Sequence, residues 1–156
     1  MGADIKNLRT RIKSVDSTLH LTKAMGLVAS SKLRRTGEAM RNAREYEAAL
    51  DSAMAALTSG SECKRSVYMR SGGNRTRLIV IAGDRGLAGG YNANIFRFMR
   101  DYPDAEVIPI GKRACDRYGR AANSAERFSA DEAVAMANEL CADFCDGKFD
   151  RLGIVY

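Results

Sequence analysis

The sequence predicts an α/β protein, with a long N-terminal helix of coiled-coil type followed by a parallel-sheet domain. Three observations predict it. Residues 4–57 contain no proline and open with apolar residues at spacings that alternate between three and four. Two apolar, β-branched runs, at 77–82 and 105–110, alternate with helical patterns. Charge is also partitioned. Of 25 basic and 19 acidic groups in 156 residues, 1–58 hold 10 and 6, 59–77 hold 5 and 1, and 78–156 hold 10 and 12. The net +6 therefore belongs to the helix and connector, and the sheet domain is mildly acidic.

The helix comes first. Ile5, Leu8, Ile12, Val15 and Leu19 form an a/d seam. Continued in phase, the seam meets Thr22, Gly26, Ala29, Leu33, Thr36, Met40, Ala43, Glu47, Leu50, Met54 and Leu57, so it is apolar at both ends and small or polar in the middle. Alanines at 48, 49, 53, 55 and 56 favour helix, whereas Gly26 and Gly37 each oppose it by about 1 kcal/mol relative to alanine. Helical over 4–57, the segment is about 80 Å long at 1.5 Å per residue, against about 30 Å for a compact domain of this chain length. Such a seam needs a partner helix of similar length, and none follows in the sequence. In the middle, Met25, Leu27 and Val28 lie off the seam among Lys23, Lys32, Arg34 and Arg35. That stretch offers apolar and cationic surface in more than one direction.

Residues 59–76 read as a polar, basic linker with turn-forming Ser71-Gly72-Gly73-Asn74. From 77 to 156 the pattern is an incomplete parallel α/β domain. Its elements are a buried strand at 77–82, a helix at 91–102 ended by Pro103, and a second strand at 105–110 with Pro109 at its end or at a sheet edge. A short helix at 112–118, a helix at 130–145 capped by Ser129, and a third strand from Leu152 complete it. This order implies a Rossmann-like sheet with right-handed crossovers.

The chemistry-bearing residues are sparse. Cys141 and Cys145 stand four apart and far from His20, the only histidine, so the four cysteines read as buried or half-buried thiols and no metal site is expected. The turn after the first strand, 83–92, has glycines spaced GxxGxxGG, and no Gly-Lys-Ser/Thr follows. It is therefore read as tight backbone packing against a neighbour, with Asp84 and Arg85 pairing locally or meeting another subunit. No catalytic residue and no cofactor is assigned. No apolar run reaches the roughly 18–20 residues that span a bilayer, and no secretory signal is expected.

Three stretches identify the pattern. Ile5-Lys6-Asn7-Leu8-Arg9-Thr10-Arg11-Ile12-Lys13-Ser14-Val15 leads into Thr22-Lys23-Ala24-Met25 and Val28-Ala29-Ser30-Ser31-Lys32-Leu33-Arg34. Asp84-Arg85-Gly86-Leu87-Ala88-Gly89-Gly90-Tyr91-Asn92 follows the first strand, and Gly147-Lys148-Phe149-Asp150-Arg151-Leu152 enters the third. In order and separation these resemble the gamma subunit of the F-type ATP synthase over essentially the whole chain. Ala88 stands where that family often has cysteine, which keeps the packing and removes any thiol role there.

The resemblance implies a central-stalk rotor subunit, itself non-catalytic, that couples proton flow to ATP synthesis at the beta subunits. It implies contacts with the alpha and beta subunits, the epsilon subunit and the membrane c-ring, and a peripheral place on the cytoplasmic face of a bacterial membrane. Lys23, Met25, Lys32, Arg34 and Arg35 on the shaft, with Asp84, Arg85, Gly86, Gly89 and Gly90 in the loop, become the expected subunit-contact residues. The family chain continues into a C-terminal helix that winds on the N-terminal one as an antiparallel coiled coil. The sequence is accordingly expected to be cut before that helix. Two other readings stand beside this one, a coiled-coil regulator with an α/β nucleotide-binding module and a basic-helix nucleic-acid binder; the resemblance implies no nucleic acid.

Overall fold

The computed structural model describes residues 2–70, 72–121 and 123–156. Met1, Ser71 and Ala122, which fall in the segments read above as helix, linker and α/β domain, lie outside them. The chain divides into two units, 1–63 and 64–156.

The first unit is one helix, α1 (Gly2–Thr58), about 85 Å long at 1.5 Å per residue. It passes through Gly26 and Gly37 without a break. Its hydroxyl residues are accommodated by donating to carbonyls four residues back: Thr10 to Lys6 at 3.0 Å, Thr22 to Thr18 at 2.6 Å, and Ser52 to Ala48 at 2.9 Å. Thr58 closes the last turn on the Met54 carbonyl at 2.8 Å, and the Gly60 amide turns back to the Leu57 carbonyl at 3.1 Å. Ile5, Leu8, Ile12, Val15 and Leu19 keep between 49% and 63% of their accessible surface. The helix is regular, yet its seam covers nothing within its own unit.

The second unit holds a three-stranded parallel sheet in the order β2-β1-β3, from β1 (Thr76–Ile81), β2 (Glu106–Ile110) and β3 (Arg151–Val155). Among the described residues of this unit the α-helices are α2 (Tyr91–Phe98), α3 (Lys112–Tyr118) and α4 (Ala130–Cys145). β1 is central, which its unbroken apolar run requires, and Val80 is fully buried. Its side chains alternate between two cores. Leu78, Val80 and Ala82 pack with Ile95, Met99 and Ala114 from α2, the turn after it and α3. Ile79 packs with Ile110, Leu140 of α4 and Phe149 on the other face. Pro109 lies in β2, an outer strand of the three, where it pairs in register with Val80 and lends its carbonyl to the Asn123 amide at 3.1 Å. Gly111 follows with φ +92, and a Cβ there would overlap the Ala82 carbonyl oxygen, so β2 hands over to α3 only through glycine.

α4 begins with the predicted Ser129 cap, completed as a box: the Ser129 hydroxyl accepts from the Glu132 amide at 3.2 Å, and Glu132 accepts from the Ser129 amide at 2.7 Å. The other outer strand, β3, is much more open, with Ile154 58% exposed. An apolar groove of about 510 Å³ therefore runs beside it, lined by Ile79, Ile81, Leu140, Phe149, Leu152 and Ile154.

The structure differs from the sequence expectation in two local ways. Part of the polar, basic connector packs on the sheet unit, which the linker reading did not foresee. A short turn at Val67–Met69 stacks the Tyr68 ring on Phe144 at 6.1 Å, and Arg70 donates to the Phe144 carbonyl at 2.7 Å. Arg75 then forks onto Asp150 with both contacts at 3.1 Å, fastening the connector to the start of β3. The thiols also split. Cys115 is buried and Cys63 half-buried, but Cys141 and Cys145 are exposed. Met136, Leu140 and Phe144 take the sheet-facing stripe of α4, which leaves positions 141 and 145 outside it.

Candidate subunit-contact surfaces

On α1 the candidate residues Lys23, Met25, Lys32, Arg34 and Arg35 are all exposed. At 100° per residue, Lys23, Leu27 and Arg34 fall on one flank of the seam, and Met25, Val28, Lys32 and Arg35 on the other. Leu27 keeps 76% of its surface. The middle of the helix thus presents apolar groups with cations to either side of a seam that is itself uncovered. Uncovered apolar side chains at both ends of the seam, with Met25, Leu27 and Val28 exposed between them, mark an interaction face. His20 is exposed on the same helix and lies 3.8 Å from the Asp16 carboxylate, its i−4 neighbour.

The loop candidates belong to the second unit, so the two sets are built separately. The loop after β1 is held at both feet. At the first, Asp84 turns inward and accepts four hydrogen bonds: from the Lys112 amide at 3.0 Å, the Ala125 amide at 3.0 Å, the Glu126 amide at 3.2 Å and the Ser124 hydroxyl at 2.6 Å. Partial burial pushes the Asp84 carboxyl up, but those four donors outweigh it and hold it well below the usual carboxylate range. At the second foot, Asn92 accepts from the Gly83 amide at 2.9 Å, and the Tyr91 hydroxyl donates to the Ile81 carbonyl at 3.2 Å. Between the feet, residues 85–90 are all exposed. Arg85, Gly86, Gly89 and Gly90 therefore lie on the surface, while Asp84 works from beneath.

This geometry bears on the nucleotide-binding alternative. The amides of Lys112, Ala125 and Glu126, which could have met a phosphate, already serve a resident carboxylate. Among the described residues, no three His, Cys, Asp or Glu side chains gather in a metal-ligating cluster, and no helix is long and apolar enough to cross a membrane.

Sequence reasoning missed the partners of Asp84, since Ser124 lies 40 positions downstream in a stretch with no pattern of its own. It also missed the charge cluster on the α4 face of the sheet. Arg77, 6% exposed, donates to Asp143 at 2.6 Å and to Glu106 at 2.8 Å, and its guanidinium lies 4.6 Å from the centre of the Phe149 ring. Lys148 also donates to Asp143 at 2.6 Å. The bond from Lys148 and then that from Arg77 lower the Asp143 carboxyl. The one available signal was an arginine opening an otherwise apolar buried strand.

Comparison with known proteins places the chain in one family. The family described as ATP synthase matches residues 4–156. The ATP synthase gamma chain of Ruminococcus albus is 34% identical over 99% of this chain and 59% of its own length. The gamma chain of Phenylobacterium zucineum is 36% identical over 99% and 60%. The ATP synthase gamma chain of Acetobacterium woodii, named as sodium ion specific, is 32% identical over 100% and 56%. The chain thus spans somewhat more than half the length of these relatives. With α1 from residue 4 and the sheet unit both inside the match, the chain belongs to the ATP synthase family, and the relatives it matches are gamma chains.

Proposed function

We propose that this chain serves as the central-stalk rotor subunit of an F-type ATP synthase, coupling proton flow through the membrane sector to ATP synthesis while carrying out no chemistry itself. The observation that carries the reading is α1: 57 regular helical residues whose apolar seam positions, from Ile5 to Leu19 and from Leu50 to Leu57, are exposed, inside a sequence matched to the ATP synthase family from residue 4. In this reading 1–58 is half of the rotor shaft, 59–76 a basic linker and 77–156 part of a Rossmann-like domain. The Ile5–Leu57 seam winds against the C-terminal helix of the family chain as an antiparallel coiled coil, burying the a/d side chains that α1 alone leaves in water.

The stationary partners are alternating alpha and beta subunits around the shaft. Lys23, Met25, Lys32, Arg34 and Arg35 meet acidic loops of the beta subunits. Exposed charges suit a rotating contact, since they attract through water and re-form at each step without deep desolvation. Asp84, Arg85, Gly86, Gly89 and Gly90 form the contact of the α/β domain, which lies lower, towards the epsilon subunit and the membrane c-ring. The assembly is peripheral on the cytoplasmic face of a bacterial membrane.

The test is co-purification of this chain with alpha and beta subunits. Retention of a stoichiometric ring is the expected result, and a chain that never associates with it refutes the reading. Met25→Lys adds a cation among cations and is expected to lower coupled ATP synthesis several-fold while leaving assembly intact. Equal losses of assembly and coupling would count against the contact assignment.

A further inference from the structure

Cys141 and Cys145 stand four residues apart on α4, so their side chains share one helix face, and both are exposed. The pair also has an ordered neighbour from the connector. The Tyr68 ring stacks on that of Phe144, 6.1 Å away and only 8° from parallel, and Phe144 immediately precedes Cys145. Arg70 holds this arrangement by donating to the Phe144 carbonyl at 2.7 Å, with its guanidinium 5.0 Å from the centre of the Phe144 ring. Tyr68 and Cys141 line the same apolar groove. The Tyr68 hydroxyl feels both thiols: Cys145 first, then Cys141, raise its pKa above the ordinary phenol value.

The ligand set decides what such a pair can hold. Among the described residues no three His, Cys, Asp or Glu side chains gather, so a divalent ion that needs three or four protein ligands is not served here. A monovalent ion with a filled d shell is satisfied by two thiolates in line, and thiolates are the soft ligands that select it. Cβ atoms at i, i+4 on a helix stand about 5–6 Å apart. Two metal–thiolate bonds of about 2.3 Å laid end to end cover most of that span. Binding releases one proton from each thiol and leaves a complex with a single negative charge. Arg70 brings a cation to the same end of α4, and the nearby carboxylates of Asp143 and Asp146 both face Lys148, at 2.6 and 3.6 Å. A phenol hydroxyl beside the sulfurs can donate to a metal-bound thiolate, as outer partners of metal ligands commonly do.

We propose that Cys141 and Cys145 form a two-coordinate site for a thiophilic monovalent cation such as copper(I), with Tyr68 as the positioning residue whose hydroxyl donates to a bound sulfur. Each sulfur loses its proton to solvent and gives one lone pair to the ion, and no electron is transferred. The site uses only α4 and the connector, so it stands independently of the rotor reading.

The experiment titrates copper(I) without oxygen into the 156-residue chain against a chromogenic chelator that competes for the ion, with thermal unfolding of the same samples. One ion per chain is expected, with the ultraviolet charge-transfer absorption of a copper–thiolate bond. Cys141→Ser and Cys145→Ser, conservative changes at exposed positions, should each weaken binding at least about tenfold, because one thiolate cannot complete the pair. Cys63→Ser should stay within about twofold of the parent, since a thiol outside the pair contributes no ligand. Tyr68→Phe keeps the ring on Phe144 and should weaken binding about tenfold with the unfolding midpoint level. Undiminished affinity in either serine variant at 141 or 145 overturns the inference. So does an equal loss in Cys63→Ser, which would put the ion elsewhere, and so does saturation at one ion per two chains. Parent-like affinity in Tyr68→Phe overturns the part given to Tyr68.

Discussion

Replacing Asp84 by alanine should cost the sheet unit about 2–3 kcal/mol, and the number follows from its four donors. Hydrogen bonds to a charged acceptor contribute about 1.5–3 kcal/mol at best. The Lys112 and Glu126 amides are at exposed sites where water replaces the lost acceptor, so they return little. The Ser124 hydroxyl and Ala125 amide are part-buried and contribute about 1 kcal/mol each, with a further fraction for the unpaired donors left behind. For a unit of about 90 residues, 2–3 kcal/mol corresponds to a drop of about 10–15 °C in melting temperature. Near-ultraviolet circular dichroism follows it, because five of the six tyrosines lie beyond residue 63. Asp84→Asn should rescue little, since its amide nitrogen would face donors. The pH dependence has a definite sign. The folded carboxyl lies below its ordinary value near 3.8, so its stabilisation is fully present above that pH and is lost as pH falls through the folded value. The gap between wild type and Asp84→Ala should therefore be widest at neutral pH and narrow progressively as pH falls below about 4. A variant melting within about 3 °C of wild type at pH 7, or a gap that widens in acid, would refute the reasoning.

Other outcomes follow from the same structure. Arg77→Ala should destabilise the sheet unit by about 2–3 kcal/mol in urea unfolding, since Arg77 is buried but its Glu106 partner is half in water. Glu106→Gln should cost under about 1 kcal/mol for the same reason. Ser129→Ala should remove the α4 cap at a cost of about 1 kcal/mol, read from the same unfolding curves. The 156-residue chain alone should self-associate through the α1 seam, and sedimentation showing a stable, fully helical monomer at micromolar concentration would contradict this.

Much of the fold was legible because it rests on local regularities. The proline-free seam read as a helix, and α1 runs from Gly2 to Thr58. The run from Leu78 to Ala82 read as a buried strand because parallel strands covered on both faces have no polar alternation, and β1 is that strand. Pro109 signalled an end or an edge, and β2 is an outer strand of the three. The Ser129 cap was read from the letters, and the structure completes it as a box with Glu132. The glycine-rich loop was located, but which of its residues turn inward was not, because that depends on donors contributed from 112 and 124–126.

By itself the sequence determined the element types, the seam and the family resemblance, since these depend on periodicity, turn chemistry and motif order along one chain. Only the tertiary structure decided that Asp84 is a clamp, that Arg77 is neutralised beneath the sheet, and that Leu87 is held in water at positive φ. Those facts arise where segments tens of residues apart meet. A carboxylate's role is set by the donors around it, and an apolar side chain's by the surface left uncovered once the backbone has been pinned.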